Sequence, residues 1–355
     1  MEVLAHYLPQ YHPIPENDRW WGPGYTEWSL VAKARPLFRG HVQPHLPRDL
    51  GLYDLRVPEV REEQATLAAA HGLTGFIYWH YWLGGKLLLE RPLAEVIAQG
   101  RPDFPFCVAW ANHSWERRWG FDPRKGFEML LEQTYPGETD DRAHFEYLRP
   151  AFEDPRHVRL DDRPVFFIFE PGDLPDPRGF VERWQEMAND LGGLYLVAMC
   201  NRPGYRTAIA DGFDAVSFGR LPIDEGALVP RLRKKVSSVT RRPAPERHRC
   251  IERFTGTPPA WLEGRVIPVV TPNWDNTPRR GVHGVVVEGA TPSTFSAQLP
   301  DAIALAREAP APEQALIIRS WNEWGEGNYL EPDQAFGLGW LEALRDALII
   351  DADPS

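Results

Sequence analysis

The sequence predicts an α/β fold, a single closed (β/α)8 TIM barrel that occupies residues 1–355. Eight short apolar segments alternate with helical patterns, which is typical of parallel strands joined by crossover helices. No Gly-x-Gly-x-x-Gly turn follows the first segment and no Walker-type loop occurs, so an open doubly wound sheet is disfavoured. Most of the 14 tryptophans lie at the ends of the apolar segments or in the loops that follow. A chain of this length can form one barrel with insertions.

The predicted strands are short, nearly continuous apolar runs bounded by turn residues. They are residues 3–8, 74–79, 106–111, 165–169, 194–199, 215–218, 266–271 and 316–321. Apolar residues at helical spacing predict helices over residues 58–71, 142–152, 178–191 and 295–307.

Two connections are longer than the others. The first βα loop, residues 9–54, is rich in Pro, His and Trp, and its length predicts a wall over the barrel mouth. An insertion between strands six and seven, residues 220–264, is basic in an acidic chain. Such a run is usually a solvated face, and the alternative is a lid or an anchor for an anionic substrate group. Its basic residues are Arg231, Arg233, Lys234, Lys235, Arg241, Arg242, Arg247 and Arg249.

Charge and cysteine content narrow the class of protein. Lys and Arg total 39 against 50 Asp and Glu, so the net charge of −11 argues against nucleic acid or an anionic membrane as partner. No segment reaches transmembrane length, and the first residues do not have the pattern of a secretory signal. The three cysteines are too few and too widely spaced for a disulfide scaffold. We expect a globular protein of the cytoplasm, and its oligomeric state stays unknown.

The stretch 320–332, SWNEWGEGNYLEP, is the most informative in the chain. It follows the apolar run 315–318, so Glu323 and Glu326 come just past the carboxyl end of the last strand, where α/β barrels place their chemistry. Gly325 and Gly327 let the backbone bend, and a turn brings positions three apart to one side. Close carboxylates do not both ionise easily, so one pKa should rise and supply an acid beside a base. A helix N-terminus that favours glutamates without catalysis is the alternative.

Tryptophans follow five of the predicted strands and converge on the same end of the barrel. They are Trp20, Trp21, Trp28, Trp79, Trp82, Trp110, Trp115, Trp119, Trp274, Trp321 and Trp324. Flat apolar rings with an N–H at the edge suit the C–H faces of pyranose sugars, although each tryptophan alone is more often a core residue. The pattern favours a carbohydrate-binding cleft.

Other polar and aromatic residues near the strand ends are candidates for the lining of this cleft. The predicted lining residues are His6, Tyr7, Trp28, Tyr78, His80, Trp110, Asn112, Trp274, Asp275, Asn276, Arg279, Trp321, Asn322, Trp324 and Glu331. Asp275 and Asn276 suit sugar hydroxyls, and Arg279 suits an anion such as a phosphate of an activated sugar. The alternative for Arg279 is an ordinary surface arginine, and for Glu331 a surface carboxylate.

No metal and no other cofactor are expected. The histidines are scattered, and no cysteine pair has the spacing of metal ligands. The single Asp-x-Asp, at residues 351–353, lies in the last residues of the chain, where a frayed tail is the ordinary interpretation.

Motifs along nearly the whole chain resemble those of the WbsX-type family. They are YLPQYHPIPEND at 7–18, WWG at 20–22, TEW at 26–28, FPFC at 104–107, WAN at 110–112, RRW at 117–119, WDNTPRRG at 274–281 and WNEWGEG at 321–327. This family looks like a relative of glycoside hydrolase family 99, the endo-acting α-mannosidases and mannanases, whose fold is a (β/α)8 barrel. Many of its members are encoded with bacterial polysaccharide genes and carry the label glycosyltransferase.

The resemblance implies roles for both glutamates. Glu323 would be the base that takes the proton from the substrate's own 2-hydroxyl, which attacks the anomeric carbon and gives an anhydro-sugar. Glu326 would protonate the leaving oxygen and then activate water, with net retention. Two departures bear on specificity: the residue after the tryptophan is typically histidine but here is Gly325, and the usual Asn-Glu-Asn-Trp has His113 in place of the glutamate. His113 would either alter the sugar and the pH profile or only pack and hydrogen-bond.

The sequence therefore predicts a carbohydrate-active enzyme, a retaining glycoside hydrolase that acts on an α-linked, manno-type glycan. One alternative is a glycosyltransferase of polysaccharide or glycoconjugate assembly that uses the same carboxylates, with an acceptor hydroxyl in place of water. Another is a carbohydrate-binding barrel without turnover. The expected ligand is an oligosaccharide or an activated sugar.

Overall fold

The computed structural model describes residues 1–118, 127–200, 204–219, 221–223, 244–254, 258–262 and 264–352. Trp119, Asp353 and the basic residues Arg231, Arg233, Lys234, Lys235, Arg241 and Arg242 lie outside the described residues.

Eight parallel strands form a closed barrel. They are β1 (Glu2–Tyr7), β2 (Gly75–Leu83), β3 (Phe106–Trp110), β4 (Arg163–Phe169), β5 (Tyr195–Met199), β6 (Ala215–Gly219), β7 (Val266–Val270) and β8 (Ala315–Ile318). Each strand pairs in parallel with the next, and β1 pairs with both β2 and β8. The predicted (β/α)8 barrel is confirmed, and each predicted strand overlaps one of these eight.

Helices lie between the strands and cover the outside of the barrel. The described α-helices are Pro15–Trp21, Trp28–Val31, Pro58–Ala70, Arg91–Gln99, Glu138–Glu153, Pro177–Met187, Tyr205–Ala210, Thr277–Arg280, Pro292–Ser296, Leu299–Ala306 and Gly339–Ala352. The helix predicted over 295–307 is two helices, because Pro300 lacks an N–H and fits the first turn of a new helix that begins at Leu299. None of the described helices is long and apolar enough to cross a bilayer.

Short strands outside the barrel pair with barrel strands or with each other. Lys86–Leu88 and Arg159–Leu160 pair antiparallel with β2 and β4. Trp115–Arg118 pairs antiparallel with Phe127–Leu131 after β3, and Glu246–Arg249 from the insertion pairs in parallel with Val285–Glu288. The insertion lies between β6 and β7, as predicted.

Side-chain alternation along the strands divides the core into two layers. Leu4, Ile77 and Ile317 fill the barrel interior, whereas Val3 and Phe76 pack against the helices outside. Residues two further along each strand point the same way, so His6 and Trp79 follow Leu4 and Ile77 at the carboxyl end of the barrel. Their rings stack there with centroids 5.1 Å apart.

The long first connection packs against the loop that follows β8. The ring of Trp28 lies between those of Tyr11, Tyr53 and Trp324, and its indole N–H donates to the carbonyl of Tyr53 at 2.8 Å. The hydroxyl of Tyr11 donates to the carbonyl of Asn322. The connection predicted as a wall over the barrel mouth thus supports the glutamate-bearing loop directly.

Candidate active site

The loop after β8 is a tight antiparallel turn. Asn322–Glu323 pairs with Asn328–Tyr329, and the 3-10 turn Trp324–Glu326 joins them. The side chain of Asn322 fastens the turn to β1, because its Oδ1 accepts from the amide of Leu8 at 2.7 Å and its Nδ2 donates to the carbonyl of Leu8 at 3.1 Å. Asn322 is therefore a buried anchor of the loop, not a cleft residue as predicted.

One arginine joins the two glutamates. Nη2 of Arg279 lies 2.7 Å from Oε2 of Glu323, and Nη1 lies 3.0 Å from Oε1 of Glu326. The remaining nitrogen, Nε, lies 2.7 Å from Oε1 of Glu27 in the first connection. Each guanidinium nitrogen thus meets a different carboxylate. The predicted role of Arg279 as a ligand for a substrate anion is not supported, because the protein's own carboxylates engage it.

Burial favours the neutral form of Glu323. Burial, the largest effect, raises the pKa of Glu323 to about 7, and the negative charges of Glu326 and Glu27 add to the rise. The positive charges of Arg279 and Arg319 oppose it. Because burial is the dominant effect, Glu323 is partly protonated near neutral pH although Arg279 lies beside it.

Tyr81 belongs to the same site, although sequence reasoning did not select it. Tyr81 follows Ile77 and Trp79 at the inward positions of β2, so its ring points to the mouth of the barrel. Burial raises the pKa of its phenol, and the charge of Glu323 adds to the rise. Its ring meets that of Trp115 edge-on, with centroids 5.2 Å apart.

Glu331 lies under the site in a hydrogen-bond network. Its carboxylate accepts from Nε1 of Trp324 at 2.6 Å, Nε2 of Gln64 at 2.7 Å and the hydroxyl of Tyr53 at 2.9 Å. Burial raises the pKa of Glu331 to about 7 although these donors lower it. With 0% of its surface exposed, Glu331 supports Trp324 from below and does not contact a substrate, in contrast to the prediction.

Several residues predicted in the cleft point away from it because of strand alternation. Tyr7, Tyr78 and His80 face the helices, since the inward positions of β1 and β2 are those of Leu4 and Ile77. The hydroxyl of Tyr7 donates to Gln64 at 2.7 Å. His80 lies 2.9 Å from His144, ring nitrogen to ring nitrogen, and burial lowers its pKa to about 3. The prediction that these three side chains line the cleft is wrong, because they point toward the helices.

The tryptophans mostly stabilise the loops. Trp28, Trp110, Trp321 and Trp324 are buried in the same outer cluster as Val3 and Phe76, so their rings do not line the cleft as predicted. Nε1 of Trp110, for example, donates to the carbonyl of Trp82 at 2.9 Å. Convergence of tryptophans on one end of the barrel thus reflects packing of long loops more than sugar contacts.

The residues after β7 shape the loop that carries Arg279. Asp275 is buried and accepts from Nε2 of His41 at 2.7 Å and from Nε2 of Gln43 at 2.6 Å. Burial raises the pKa of Asp275, but hydrogen bonds from His41, Thr277 and Gln43 outweigh it and hold the pKa below its ordinary value. Oδ1 of Asn276 accepts from the amide of Val285 at 2.7 Å. Both predicted sugar ligands are used inside the protein.

The remaining predicted residues lie at the edge of the mouth. Asn112 is buried and its Nδ2 donates to the hydroxyl of Tyr135 at 3.2 Å. His113 is exposed, with its ring 5.4 Å from that of Phe169. Trp274 is 8% exposed and the guanidinium of Arg319 lies 4.8 Å from its ring centroid.

His6 is the predicted residue whose orientation fits the cleft. It stands at the barrel mouth, stacked on Trp79, and burial followed by the charge of Arg319 lowers its pKa to about 3. It is therefore a neutral imidazole at working pH. Sequence reasoning missed Trp79 and Arg319 as its neighbours, although both continue the inward alternation of their strands.

A cavity of about 570 Å³ lies on another side of the β7 loop. It is lined by Phe38, His45, Val286 and Phe336, among others, and by neither catalytic candidate. The described residues that line this cavity include no pair of carboxylates with raised pKa values. The mouth of the barrel is therefore the better candidate for the catalytic site.

Comparison with known proteins assigns the chain to a family. A family model described as glycosyltransferase WbsX matches residues 3–344. The uncharacterized protein WxcX of Xanthomonas campestris pv. campestris is 36% identical over 362 aligned residues, which cover 98% of this chain and 49% of the relative. The chain thus spans about half the length of the curated relatives it matches.

Solved structures share the fold. The family 99 endo-alpha-mannosidase from Bacteroides thetaiotaomicron superposes with a TM-score of 0.59 at 14% identity, and the match covers 99% of this chain and 97% of that one. A glycoside hydrolase-like protein superposes with a TM-score of 0.58 at 14% identity, covering 98% of this chain and 93% of that one. The fold is a barrel like that of the family 99 enzyme, and the match of the family model shows that the chain belongs to the WbsX glycosyltransferase family.

Proposed function

We propose that this chain is a retaining glycoside hydrolase that cleaves an α-linked, manno-type glycan with Glu323 and Glu326. The observation that carries the proposal is the pair of carboxylates on one guanidinium after β8, one of them with a pKa near 7. Glycosidic cleavage requires an acid beside a base, and a base is most effective when its pKa lies near the operating pH. The fold shared with a family 99 endo-alpha-mannosidase supports the substrate class.

The proposed reaction has two steps. Ionised Glu323 takes the proton of the sugar's 2-hydroxyl as that oxygen attacks the anomeric carbon, while protonated Glu326 gives its proton to the departing glycosidic oxygen. The product of this step is a 1,2-anhydro-sugar and a free hydroxyl on the leaving group. Glu326 then takes a proton from water, which opens the ring at the anomeric carbon, and Glu323 returns its proton to O2. Two inversions give net retention.

The exposure of the two glutamate side chains fits their roles as base and acid. The Glu326 side chain is 19% exposed and that of Glu323 is 10% exposed, so Glu326 is better placed to reach a bridging oxygen and water. The proposed reaction needs Glu323 ionised, and its raised pKa leaves it protonated in acid. We therefore expect activity to fall below about pH 7.

A glycosyltransferase is the second candidate, because the family carries that description. The charge of the site disfavours a donor with a phosphate leaving group, since three carboxylates share Arg279. Arg319, over the ring of Trp274, is the cation that a donor phosphate would meet. Product formation from a nucleotide-activated sugar, lost in Arg319→Ala, would favour the transferase.

Kinetics with α-linked manno-oligosaccharides test the hydrolase. Glu323→Gln and Glu326→Gln should each lower kcat by more than about 100-fold while ligand binding persists, because acid–base catalysis acts as charge develops. Glu308→Gln is the matched control: it is exposed and lies in the connection that enters β8, at the end of the barrel opposite the site. Binding without any turnover by the unmutated protein would instead indicate a carbohydrate-binding barrel. NMR of the first-formed anomer would show whether configuration is retained.

We further propose that the protein acts in the cytoplasm. Its cysteines Cys107, Cys200 and Cys250 are free thiols, as is usual in a reducing compartment. Fractionation of the native cells with an antibody against this chain tests the location, and recovery from the periplasm or the medium would contradict it.

A further inference from the structure

Glu27 is a charged residue that the proposed reaction does not use. Its side chain is 1% exposed, so it cannot touch a substrate. Its carboxylate nevertheless meets Nε of Arg279 at 2.7 Å, and its backbone amide donates to the carbonyl of Gln10 at 2.9 Å. Burial of a carboxylate costs free energy unless an opposite charge is well placed beside it. The close contact with Arg279 offsets that cost.

Gly325 leaves the space that this carboxylate occupies. A Cβ at Gly325 would lie 1.8 Å from Oε1 of Glu27, 2.8 Å from its carboxyl carbon and 3.1 Å from Nε of Arg279. The backbone of Gly325 is outside the left-handed region, so its conformation does not require glycine. The requirement is for space between the two glutamates of the turn, and Glu27 fills that space.

We propose that Glu27 is a positioning residue of the active site and that Gly325 is glycine in order to admit it. Glu27 fixes the guanidinium of Arg279 through Nε, which leaves Nη1 and Nη2 aimed at Glu326 and Glu323. Without Glu27 the guanidinium can rotate, and it then no longer fixes the positions of the two catalytic carboxylates. This inference rests on the proposed function of the glutamate pair.

The same arrangement sets the proton affinity of Glu323. The groups that face Glu323 are Arg279 from the helix after β7, Arg319 from the end of β8, Glu326 from its own turn, Tyr81 from β2, and Tyr11 and Glu27 from the first connection. The negative charge of Glu27 favours protonated Glu323. Removal of that charge therefore lowers the pKa of Glu323, and release of Arg279 from Glu27 acts in the same direction.

The test compares kcat and KM across pH for the unmutated protein, Glu27→Gln and Glu27→Asp on an α-linked manno-oligosaccharide. Glu27→Gln should lower kcat by about 100-fold with little change in KM, as expected for a misplaced catalytic group. Its lower pH limit of activity, which is set by protonation of the base Glu323, should move down by roughly one pH unit. Glu27→Asp keeps the charge but withdraws it from Nε, so it should lower kcat and move the limit less than Glu27→Gln does. The same pH limit of activity in the unmutated protein and in Glu27→Gln would overturn the proposal.

Glu16→Gln is the matched control. Glu16 also lies in the first connection and pairs with a cation, Lys86, at 2.8 Å, but it does not face Glu323. It should change neither kcat nor the pH limit. A general weakening of the first connection would make Glu16→Gln behave like Glu27→Gln and would contradict a specific role for Glu27.

A double-mutant cycle tests the space at Gly325. Gly325→Ala should reduce kcat strongly in the unmutated protein, but only slightly when Glu27→Ala has already removed the carboxylate it would meet. Equal effects in both backgrounds would overturn the steric part of the proposal.

Carbon-13 NMR of labelled glutamate reads the pKa of Glu323 without turnover, with Glu323→Gln to assign its signal. Glu27→Gln should lower that pKa by roughly one unit. Absence of turnover by the unmutated protein on every α-linked glycan would refute the proposed function, whereas an unchanged NMR titration would refute the role of Glu27. The two failures are therefore distinguishable, and the NMR test also applies if a variant loses all activity.

Discussion

Glu331 should make the stability of the fold depend on pH. Its pKa rises from 4.5 in the exposed state to about 7 in the folded protein, mainly because of burial. Between these values the folded state holds a proton that the unfolded chain releases, so stability is full below about pH 4.5 and declines as pH rises to about 7. At about 1.4 kcal/mol per pKa unit, the loss amounts to about 3 kcal/mol.

Glu331→Gln removes this dependence, because an amide does not titrate in that range. Urea unfolding followed by tryptophan fluorescence, from pH 4 to 8, should show the unmutated protein losing about 3 kcal/mol more than the variant. Glu323 contributes to the pH dependence of unfolding with the same sign. Its contribution is present in both proteins, so it cancels when their free energies of unfolding are subtracted. Exposed Glu308→Gln should run parallel to the unmutated protein. Parallel curves for Glu331→Gln would refute the assignment of a buried, protonated carboxyl at this position.

Two further variants test the packing around the site. Asn322→Ala removes both hydrogen bonds to Leu8 and leaves backbone groups buried without partners, so urea unfolding should show a loss of about 1–3 kcal/mol, with reduced activity. A loss in activity alone would argue that Asn322 contacts the substrate. Trp184→Ala empties a fully buried site between the barrel and its helices and should cost about 3–5 kcal/mol without a shift in the pH limit of activity; a shifted limit would show coupling between this part of the core and the glutamates.

The barrel was predictable because each strand is an apolar run short enough to be distinguished from a helix. The direction of side chains was not, since both faces of a barrel strand are buried and its apolar pattern does not define which face points inward. Tyr7 and His80 consequently face the helices, while His6 and Trp79 face the mouth. One inward residue such as Leu4 fixes the orientation of the whole strand.

The glutamates of the last loop were predictable because they are close together in sequence. Their cationic partner was not: Arg279 is 44 residues from Glu323 and 252 from Glu27. Nor could sequence show that Glu331 is fully buried, because carboxylates are usually exposed and its donors come from distant segments. The excess of tryptophan pointed to the correct end of the barrel, but most of these rings pack the loops.

The most direct test of the central claim is mass-spectrometric product analysis in heavy-oxygen water. The protein is given α-linked manno-oligosaccharides and, separately, nucleotide-activated sugars with an acceptor. We expect one heavy oxygen at the new reducing end of a released sugar, lost in Glu323→Gln and Glu326→Gln and kept in Glu308→Gln. A lengthened acceptor without solvent oxygen at the new linkage would contradict a hydrolase, and release that persists in both glutamate variants would contradict the assigned site.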